Sequence, residues 1–247
     1  LGLGDSLVGV TKFCVHPADR VRGIEKVGGT KTPKVERIAE LAPELALLNE
    51  EENRAEDAEA LEAAGLACHI SFPKTAIETA EMVRSIGEAV GRPDEAEDIA
   101  RSIEDAARRV REAASGLPAV RYAYLIWHEP LMSVSGDTFI SDLLRLPGGE
   151  NAFADRPKRY PVVEARDLAA AGLDAVLLST EPFPFQDKHI AEVSRHTGLA
   201  PEIFHIVDGE MLSWHGSRTP SGIAYAAEVI GRIRAGAGNT DAPRPGR

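Results

Sequence analysis

The sequence lacks the long apolar run that a membrane-spanning helix needs. No stretch of the 247 residues approaches the ~20 consecutive apolar residues of such a helix. The chain also does not begin with the pattern of an export signal, which is a basic segment followed by an apolar one. Its first residues, Leu1-Gly2-Leu3-Gly4-Asp5, are instead typical of the end of a helix and a turn. We therefore expect sequence upstream of Leu1 to have been processed or omitted.

Basic residues and cysteines are both scarce. The chain has 28 Lys and Arg against 39 Asp and Glu, and its formal net charge is −11. Because phosphate binding needs a basic surface, this balance argues against nucleic acid as a general partner. Cys14 and Cys68 are the only cysteines. Two cysteines fit a disulfide, two buried thiols or two metal ligands, so the cellular compartment stays open.

The common catalytic signatures are missing as well. The chain contains no His-Glu-x-x-His, no Gly-x-Ser-x-Gly, no phosphate-binding loop of the Walker type and no dinucleotide fingerprint. Each of these motifs fixes reactive groups or glycines at the spacing that its chemistry needs. Their absence predicts a protein that is not an enzyme and that requires no cofactor.

What the sequence does contain is a repeated alternation of short apolar runs with amphipathic segments. The apolar runs predict parallel strands, with those at 44–48 and 174–178 buried, and the segments between them predict helices, often opened by proline and closed by glycine. The predicted strands are 44–48, 66–72, 120–127, 174–178 and 203–207. A weak internal repeat joins the two halves: Pro33 and Pro161 each open a predicted helix, carry glutamate three residues later, and lead into such a strand.

Residues 94–115 predict one long amphipathic helix. The apolar positions that repeat there at steps of three and four are Ala96, Ile99, Ile103, Ala106, Val110 and Ala113. We therefore predict an α/β protein with two Rossmann-like lobes, joined by this one long α-helix, with a ligand cleft between the lobes. The predicted divisions are an N-terminal lobe (1–92), a linking helix (93–116), a C-terminal lobe (117–236) and a flexible tail (237–247).

Several segments, in this order along the chain, carry a resemblance to a known family. They are Val8-Gly9-Val10-Thr11, Lys26-Val27-Gly28-Gly29, residues 33–48, Gly148-Gly149-Glu150-Asn151-Ala152-Phe153 and Tyr160-Pro161. The ordered set resembles the helical-backbone (class III) periplasmic binding proteins, and within them the cobalamin-binding receptors. The family pattern also has a strand and a helix ahead of Leu1, so the resemblance implies an N-terminal lobe that lacks them here.

This resemblance implies a substrate-binding receptor of an ABC importer that captures cobalamin or a similar metal chelate, such as a corrinoid, haem or a ferric siderophore. It implies a monomer in the periplasm, or anchored outside a membrane, that docks onto a membrane permease. The docking acid of the first lobe maps to Glu36. Its counterpart in the second lobe is Arg166, so the flanking Glu164 and Asp167 are the candidates there.

The resemblance also implies three aromatic ligand contacts, at Phe13, Tyr160 and Trp214. Flat rings suit a corrin or porphyrin because they bury a large area and lose little side-chain entropy. Two further aromatic positions of the family are occupied by Thr30 and Asn49, which leaves the identity of the chelate open.

Other candidates come from the residues themselves. Cys14 with His16, and Cys68 with His69, combine thiol and imidazole groups near predicted strand ends, as a soft metal would require. Trp127 ends another predicted strand and His128 follows it directly. One axial ligand to a bound metal could come from His16, His69 or His128. Phe183 and Phe185 lie in a proline-bounded loop, where exposed rings would mark a contact surface.

Two alternatives remain on sequence alone. The chain is also compatible with an intracellular binding or chaperone module of the same fold, since no export signal is visible and Arg166 replaces a docking acid. The second alternative is an enzyme that modifies a tetrapyrrole on the same scaffold, although no residue pattern indicates one.

Overall fold

The alternating pattern folds into helices and short strands, and a computed structural model describes residues 1–237. The helices are α1 (Ala18–Val21), α2 (Val35–Leu41), α3 (Ala55–Ala63), α4 (Ala76–Ala89), α5 (Pro93–Ala114), α6 (Phe139–Arg145), α7 (Ala165–Ala170), α8 (Asp187–Thr197), α9 (Gly209–Ser213) and α10 (Thr219–Ala237). The strands are β1 (Ala46–Asn49), β2 (Cys68–Ser71), β3 (Val120–Trp127), β4 (Met132–Ser133), β5 (Gly149–Asn151), β6 (Ala175–Ser179) and β7 (Phe204–Val207). The predicted α/β class is confirmed.

The chain forms two compact units. The first contains Leu1–Phe72 and Arg84–Glu97, and the second contains Pro73–Val83 and the described residues from Asp98 onward. Helices α4 and α5 therefore each have residues in both units. The assignment of residues 93–116 as the linking helix stays a prediction, and all but the first residue of the predicted tail lies outside the described residues.

The first unit has a small parallel sheet. Strand β1 pairs with β2 in parallel, with Leu47 opposite His69, as the sequence predicts. The prediction that β1 is buried is wrong, because Leu47 is 51% exposed, and Ile70 of β2 is 50% exposed as well. Within residues 1–237 each strand has only the other as a partner, so the sheet keeps an open edge on either side and its faces stay partly uncovered.

The second unit contains the larger sheet. Its strand order is β4-β3-β6-β7, and β5 also pairs with β3. Strands β5, β6 and β7 run parallel to their neighbours, while β4 is antiparallel to β3. All five residues of β6 are buried, as expected for a central parallel strand covered on both faces. This sheet is the core of the unit, and it fixes where each strand end lies.

The long helix α5 matches its predicted bounds to within one residue at each end. Its buried residues are Ala96, Ala100, Ile103, Ala106 and Ala107. Ala113 is exposed, so its predicted burial is wrong, and Ile99 and Val110 are half-buried. The buried stripe includes Ala100 and Ala107, each one residue after a predicted position, and it does not reach the last turn of the helix.

Proline does not mark the start of two helices as predicted. Helix α2 begins at Val35 and α7 at Ala165, not at Pro33 and Pro161. The second segment is extended because the carbonyl of Pro161 accepts a hydrogen bond from Ser133 N, and Val163 N donates to the carbonyl of Leu131. Backbone pairing alongside β4 therefore overrides the helical tendency here.

Helix α4 has a well-satisfied amino end. Glu78 N donates to Thr75 Oγ1 at 3.1 Å, so the side chain of Thr75 caps the helix. Ala76 N donates to the buried carboxylate of Asp142 at 2.9 Å. Of the helices between residues 1 and 237, none combines the length and the apolar character needed to span a membrane.

Candidate functional site

Three parallel strands of the second unit end at the same edge of its sheet. The pairings of β3 with β6 and of β6 with β7 bring their carboxyl ends together, and open parallel sheets bind their ligands at this edge. Each strand is followed there by aromatic and acidic residues, in segments 127–129, 181–185 and 208–214. We call these three segments, together with helix α8, the carboxyl-edge site.

Aromatic rings form one connected group within this site. Phe183 lies against Trp127 at a centroid distance of 5.8 Å, stacks on His128 at 5.4 Å and contacts Phe185 at 4.8 Å. Trp127 is 41% exposed, whereas Phe185 is 2% exposed and belongs to the hydrophobic core. The prediction of exposed rings is therefore wrong for Phe185, which turns inward and anchors the loop against the sheet, and Phe183 is half-buried.

The loop after β6 is held by hydrogen bonds to a buried hydroxyl. Tyr124 Oη donates to Ser179 Oγ at 2.9 Å, and Ser179 Oγ donates to the carbonyl of Glu181 at 2.6 Å. Gly209 N donates to Thr180 Oγ1 at 2.9 Å. A Cβ atom on Gly209 would lie 2.5 Å from Ser179 Oγ, so only glycine allows this approach between the two segments.

Trp214 contacts the same loop at a different residue, Glu181. Its Nε1 donates to Glu181 Oε2 at 2.8 Å, and the guanidinium of Arg218 lies 5.2 Å from the ring centroid. Arg218 also pairs with Glu210 at 3.1 Å. Burial raises the pKa of Glu181, and the nearby Glu210 and Asp208 add to this, against the opposing hydrogen bond from Trp214. Two tryptophans thus border one loop, Trp127 at Phe183 and Trp214 at Glu181.

His128 is a half-buried imidazole at this edge of the sheet. Its side chain is 14% exposed, and its Nε2 lies 3.5 Å from Oε2 of Glu192 on α8. The ring of His189, also on α8, is 5.1 Å away. His189 Nδ1 accepts a hydrogen bond from Gln186 N at 2.8 Å, and the pKa of His189 is lowered, mainly by burial and then by Lys188 and His128.

Sequence reasoning missed Glu181, His189 and Glu192. Glu181 had a usable signal, because it follows a predicted strand directly, at an edge where ligands bind. Nothing local marks Glu192, which comes close to His128 only because α8 packs beside the end of β3.

Three potential metal ligands converge at this edge. One ligand atom each from His128, Glu129 and Glu192 lies within 4.8 Å of the others, and within residues 1–237 no other group of three or more His, Cys, Asp or Glu side chains does so. The candidates Cys14, His16, Cys68 and His69 are not brought into such a group.

The two cysteines are free thiols. Burial, aided by Glu62, raises the pKa of the Cys68 thiol. Cys14 Sγ lies 3.4 Å from Thr11 Oγ1, and His69 Nε2 lies 2.8 Å from Ser85 Oγ. Each of these groups has a local partner in the first unit.

The remaining candidate ligand contacts are partly accessible. Phe13, in the first unit, is 54% exposed and has the ammonium of Lys12 4.9 Å from its ring centroid. Tyr160, in the second unit, is half-buried, with the guanidinium of Arg159 5.9 Å from its ring. Their joint use with Trp214 stays a prediction.

The candidate docking acids differ in what they already contact. Glu36 is exposed in the first turn of α2. Asp167 accepts from Glu164 N at 3.0 Å, which caps α7, and lies 3.5 Å from Arg156. Glu164 is exposed and pairs with Arg166 at 2.9 Å. Glu164 and Asp167 each lie close to an arginine, whereas Glu36 is exposed at the start of its helix.

A concavity of about 660 Å³ lies at the opposite edge of the sheet, near the amino-terminal end of β3. Its charged lining is internally paired: Lys74 lies 3.0 Å from Asp137, and Asp142 pairs with Arg145 and caps α4. The charged groups named here are thus paired with one another, and the carboxyl-edge site differs from this concavity in its exposed aromatic ring, Trp127.

Curated relatives of this chain include vitamin B12-binding proteins. That of Vibrio vulnificus (strain CMCP6) is 26% identical over 232 residues, or 94% of this chain and 85% of the relative. That of Vibrio parahaemolyticus is 28% identical over 167 residues, or 68% of this chain. The match spans only 60% of that second relative's length.

Solved structures and a family model complete the comparison. The periplasmic vitamin B12 binding protein BtuF of Vibrio cholerae superimposes with a TM-score of 0.80 at 20% identity, over 94% of this chain and 91% of that one. The periplasmic haem-binding protein RhuT from Roseiflexus sp. RS-1 gives 0.79 at 19%, over 93% and 90%. These likenesses confirm the predicted fold. The periplasmic binding protein model matches residues 1–200, so the chain belongs to this family of binding proteins, which are not enzymes.

Proposed function

We propose that this protein is the substrate-binding receptor of an ABC importer and that its ligand is cobalamin or a similar metal chelate. The observation that carries the proposal is the pair of tryptophans, Trp127 and Trp214, that contact one anchored loop at the carboxyl edge of the second unit's sheet. Relatives named for vitamin B12 and neighbours named for haem support the same ligand class.

The chemistry of this edge suits a broad, flat ligand. Accessible rings offer large apolar contact area at low entropic cost, and a few fixed polar groups set the ligand's orientation. Trp127, Phe183 and Trp214 supply the rings, and Phe185 supports them from the core. His128 presents an imidazole beside these rings, in a position suited to one axial ligand of a chelated cobalt or iron.

Further contacts complete the proposed receptor. Phe13 from the first unit and Tyr160 from the second are proposed to contact the same ligand. Glu36, with Glu164 as its counterpart, is proposed to dock onto cationic residues of a membrane permease, and the protein is proposed to act as a monomer in the periplasm or anchored outside the membrane. Complementary charges of this kind set specificity and association rate more than affinity.

The test is a titration of the purified chain with cobalamin, with haemin and with a ferric hydroxamate siderophore, followed by tryptophan emission. Such chromophores accept energy from excited indoles, so saturable quenching at one ligand per chain is expected with a member of this group. An inert protein, lysozyme for example, corrects for light absorbed by the ligand. Absence of saturable binding with all three ligands would refute the proposed ligand class.

A further inference from the structure

The group formed by His128, Glu129 and Glu192 offers more donors than a chelated metal can accept. A planar macrocycle occupies four positions around its metal and leaves at most two axial ones, on opposite faces. Here three donor atoms lie within 4.8 Å of one another. Three adjacent donors can all bind the same ion only if no macrocycle occupies the positions around it. We infer that these three residues bind a single divalent transition-metal ion directly.

The geometry fits such an ion. With bonds of ~2.0–2.1 Å to nitrogen and oxygen, neighbouring ligands in a tetrahedral zinc site lie roughly 3.3 Å apart. His128 Nε2 and Glu192 Oε2 are already 3.5 Å apart. Glu129 is exposed, and one of its carboxylate oxygens lies within 4.8 Å of a ligand atom of each of these two residues.

The framework around these ligands is ordered. The His128 ring is stacked on Phe183, and Trp127 Nε1 donates to the carbonyl of Glu129 at 3.1 Å, which fixes the backbone between the two adjacent ligands. Glu192 comes from the separate helix α8. A metal bound here would therefore join the loop after β3 to α8.

The donor set indicates the class of ion. One imidazole and two carboxylates suit zinc, cobalt or nickel in the divalent state. They do not suit calcium, which takes ~6–8 ligands that are all oxygen atoms. Two carboxylates that face one neutral imidazole carry two negative charges, which a divalent ion neutralises. Three protein ligands leave the remaining positions to water or to a small anion.

The test uses the untagged chain and Zn²⁺ alone, measured by isothermal titration calorimetry, with Co²⁺ as a spectroscopic probe. One ion per chain is expected, with the visible absorption of Co²⁺ bound to nitrogen and oxygen ligands. His128→Ala and Glu192→Gln should each weaken Zn²⁺ binding at least about tenfold, since even outer-shell changes cost roughly 10- to 100-fold. His196→Ala and Glu202→Gln, exposed positions outside the group, are the matched controls.

The Glu192→Gln variant keeps the size and polarity of the side chain, and its circular dichroism should match that of the parent, so that a loss of binding is not a loss of folding. Unchanged Zn²⁺ affinity in both ligand variants, or an equal loss in the controls, would overturn the inference. Glu192→Gln is the variant that separates the two proposals, because Glu192 is not among the proposed chelate contacts, whereas His128 is also proposed as an axial ligand of the chelate. Chelate binding without Zn²⁺ binding refutes only the ion site, and Zn²⁺ binding without chelate binding refutes only the receptor proposal.

Discussion

Trp214 Nε1 donates a hydrogen bond of 2.8 Å to Oε2 of Glu181, so the orientation of a ring at the carboxyl-edge site depends on one half-buried carboxyl group. Burial raises the pKa of that group. The carboxylate is therefore held at some energetic cost, which the indole hydrogen bond partly offsets.

The first prediction follows from this pKa shift. Because the pKa of Glu181 is higher in the folded than in the unfolded protein, its contribution to stability is present below its ordinary value of 4.5 and is lost as pH rises through the folded value. Glu181→Gln removes this loss and still accepts the bond from Trp214. Urea unfolding from acid to neutral pH should show the stability of the variant rising relative to the parent. Parallel stability curves would contradict the assignment.

Trp214→Phe tests the proposed ligand contact. Replacement of the larger ring should weaken chelate binding by about 1–3 kcal/mol, or roughly 5- to 150-fold, if the ring packs on the ligand. The quenching that remains should come from Trp127, and Trp127→Phe is the complementary variant. An affinity equal to that of the parent would remove Trp214 from the site.

Gly209→Ala tests the close approach of two segments at the carboxyl edge. The new Cβ would lie 2.5 Å from Ser179 Oγ and 2.7 Å from Glu181 N, so the backbone has to move. The free energy of unfolding should fall by about 1–3 kcal/mol. Gly231→Ala in α10 is the control, since nothing lies within 4 Å of its Cβ and a helical alanine stabilises by ~1 kcal/mol.

Ile103→Asp tests the buried face of α5. Ile103 is 0% exposed, so the substitution places a carboxylate among apolar neighbours and should lower the free energy of unfolding by roughly 3–5 kcal/mol. Ser102→Asp, one residue earlier on the exposed face, adds the same charge and should change stability little. Similar melting temperatures for the two variants would show that the buried stripe has no such role.

Glu36→Lys tests permease docking. If Glu36 meets a cationic surface, the reversed charge should weaken association with the permease in nanodiscs and leave chelate affinity in solution intact. Glu59→Lys, an exposed position on α3 in the same unit, controls for net charge. Loss of chelate affinity as well would place Glu36 in the ligand site, and no effect on either would favour the intracellular alternative.

The elements that the sequence predicts best are those specified by their own residues. The bounds of α5 follow from its helical periodicity, and β6 follows from an unbroken apolar run. Burial of β1 could not be read in this way, because it depends on which elements cover the strand. The inward turn of Phe185 is similar: prolines on both sides predict a loop, while the direction of the ring is decided by space in the core.

The candidate site likewise contains residues that the sequence could identify and a pairing that it could not. Trp127, His128 and Trp214 were recognisable because strand ends and family positions point to them. The pairing of His128 with Glu192 joins residues far apart in the chain, and no periodicity or spacing encodes it. Only the packing of α8 beside the sheet brings the two together.

The hydroxyl of Ser179 has a consequence for how this protein could change its ligand. It ties the loop after β6 to Tyr124 in the core through backbone and buried groups, while Pro182 and Pro184 remain exposed. The course of the loop is thus independent of the side chains on its outer surface. Substitutions at Pro184 would alter what a ligand meets at little cost to folding, so natural drift or a directed library could retune selectivity there while the scaffold stays the same.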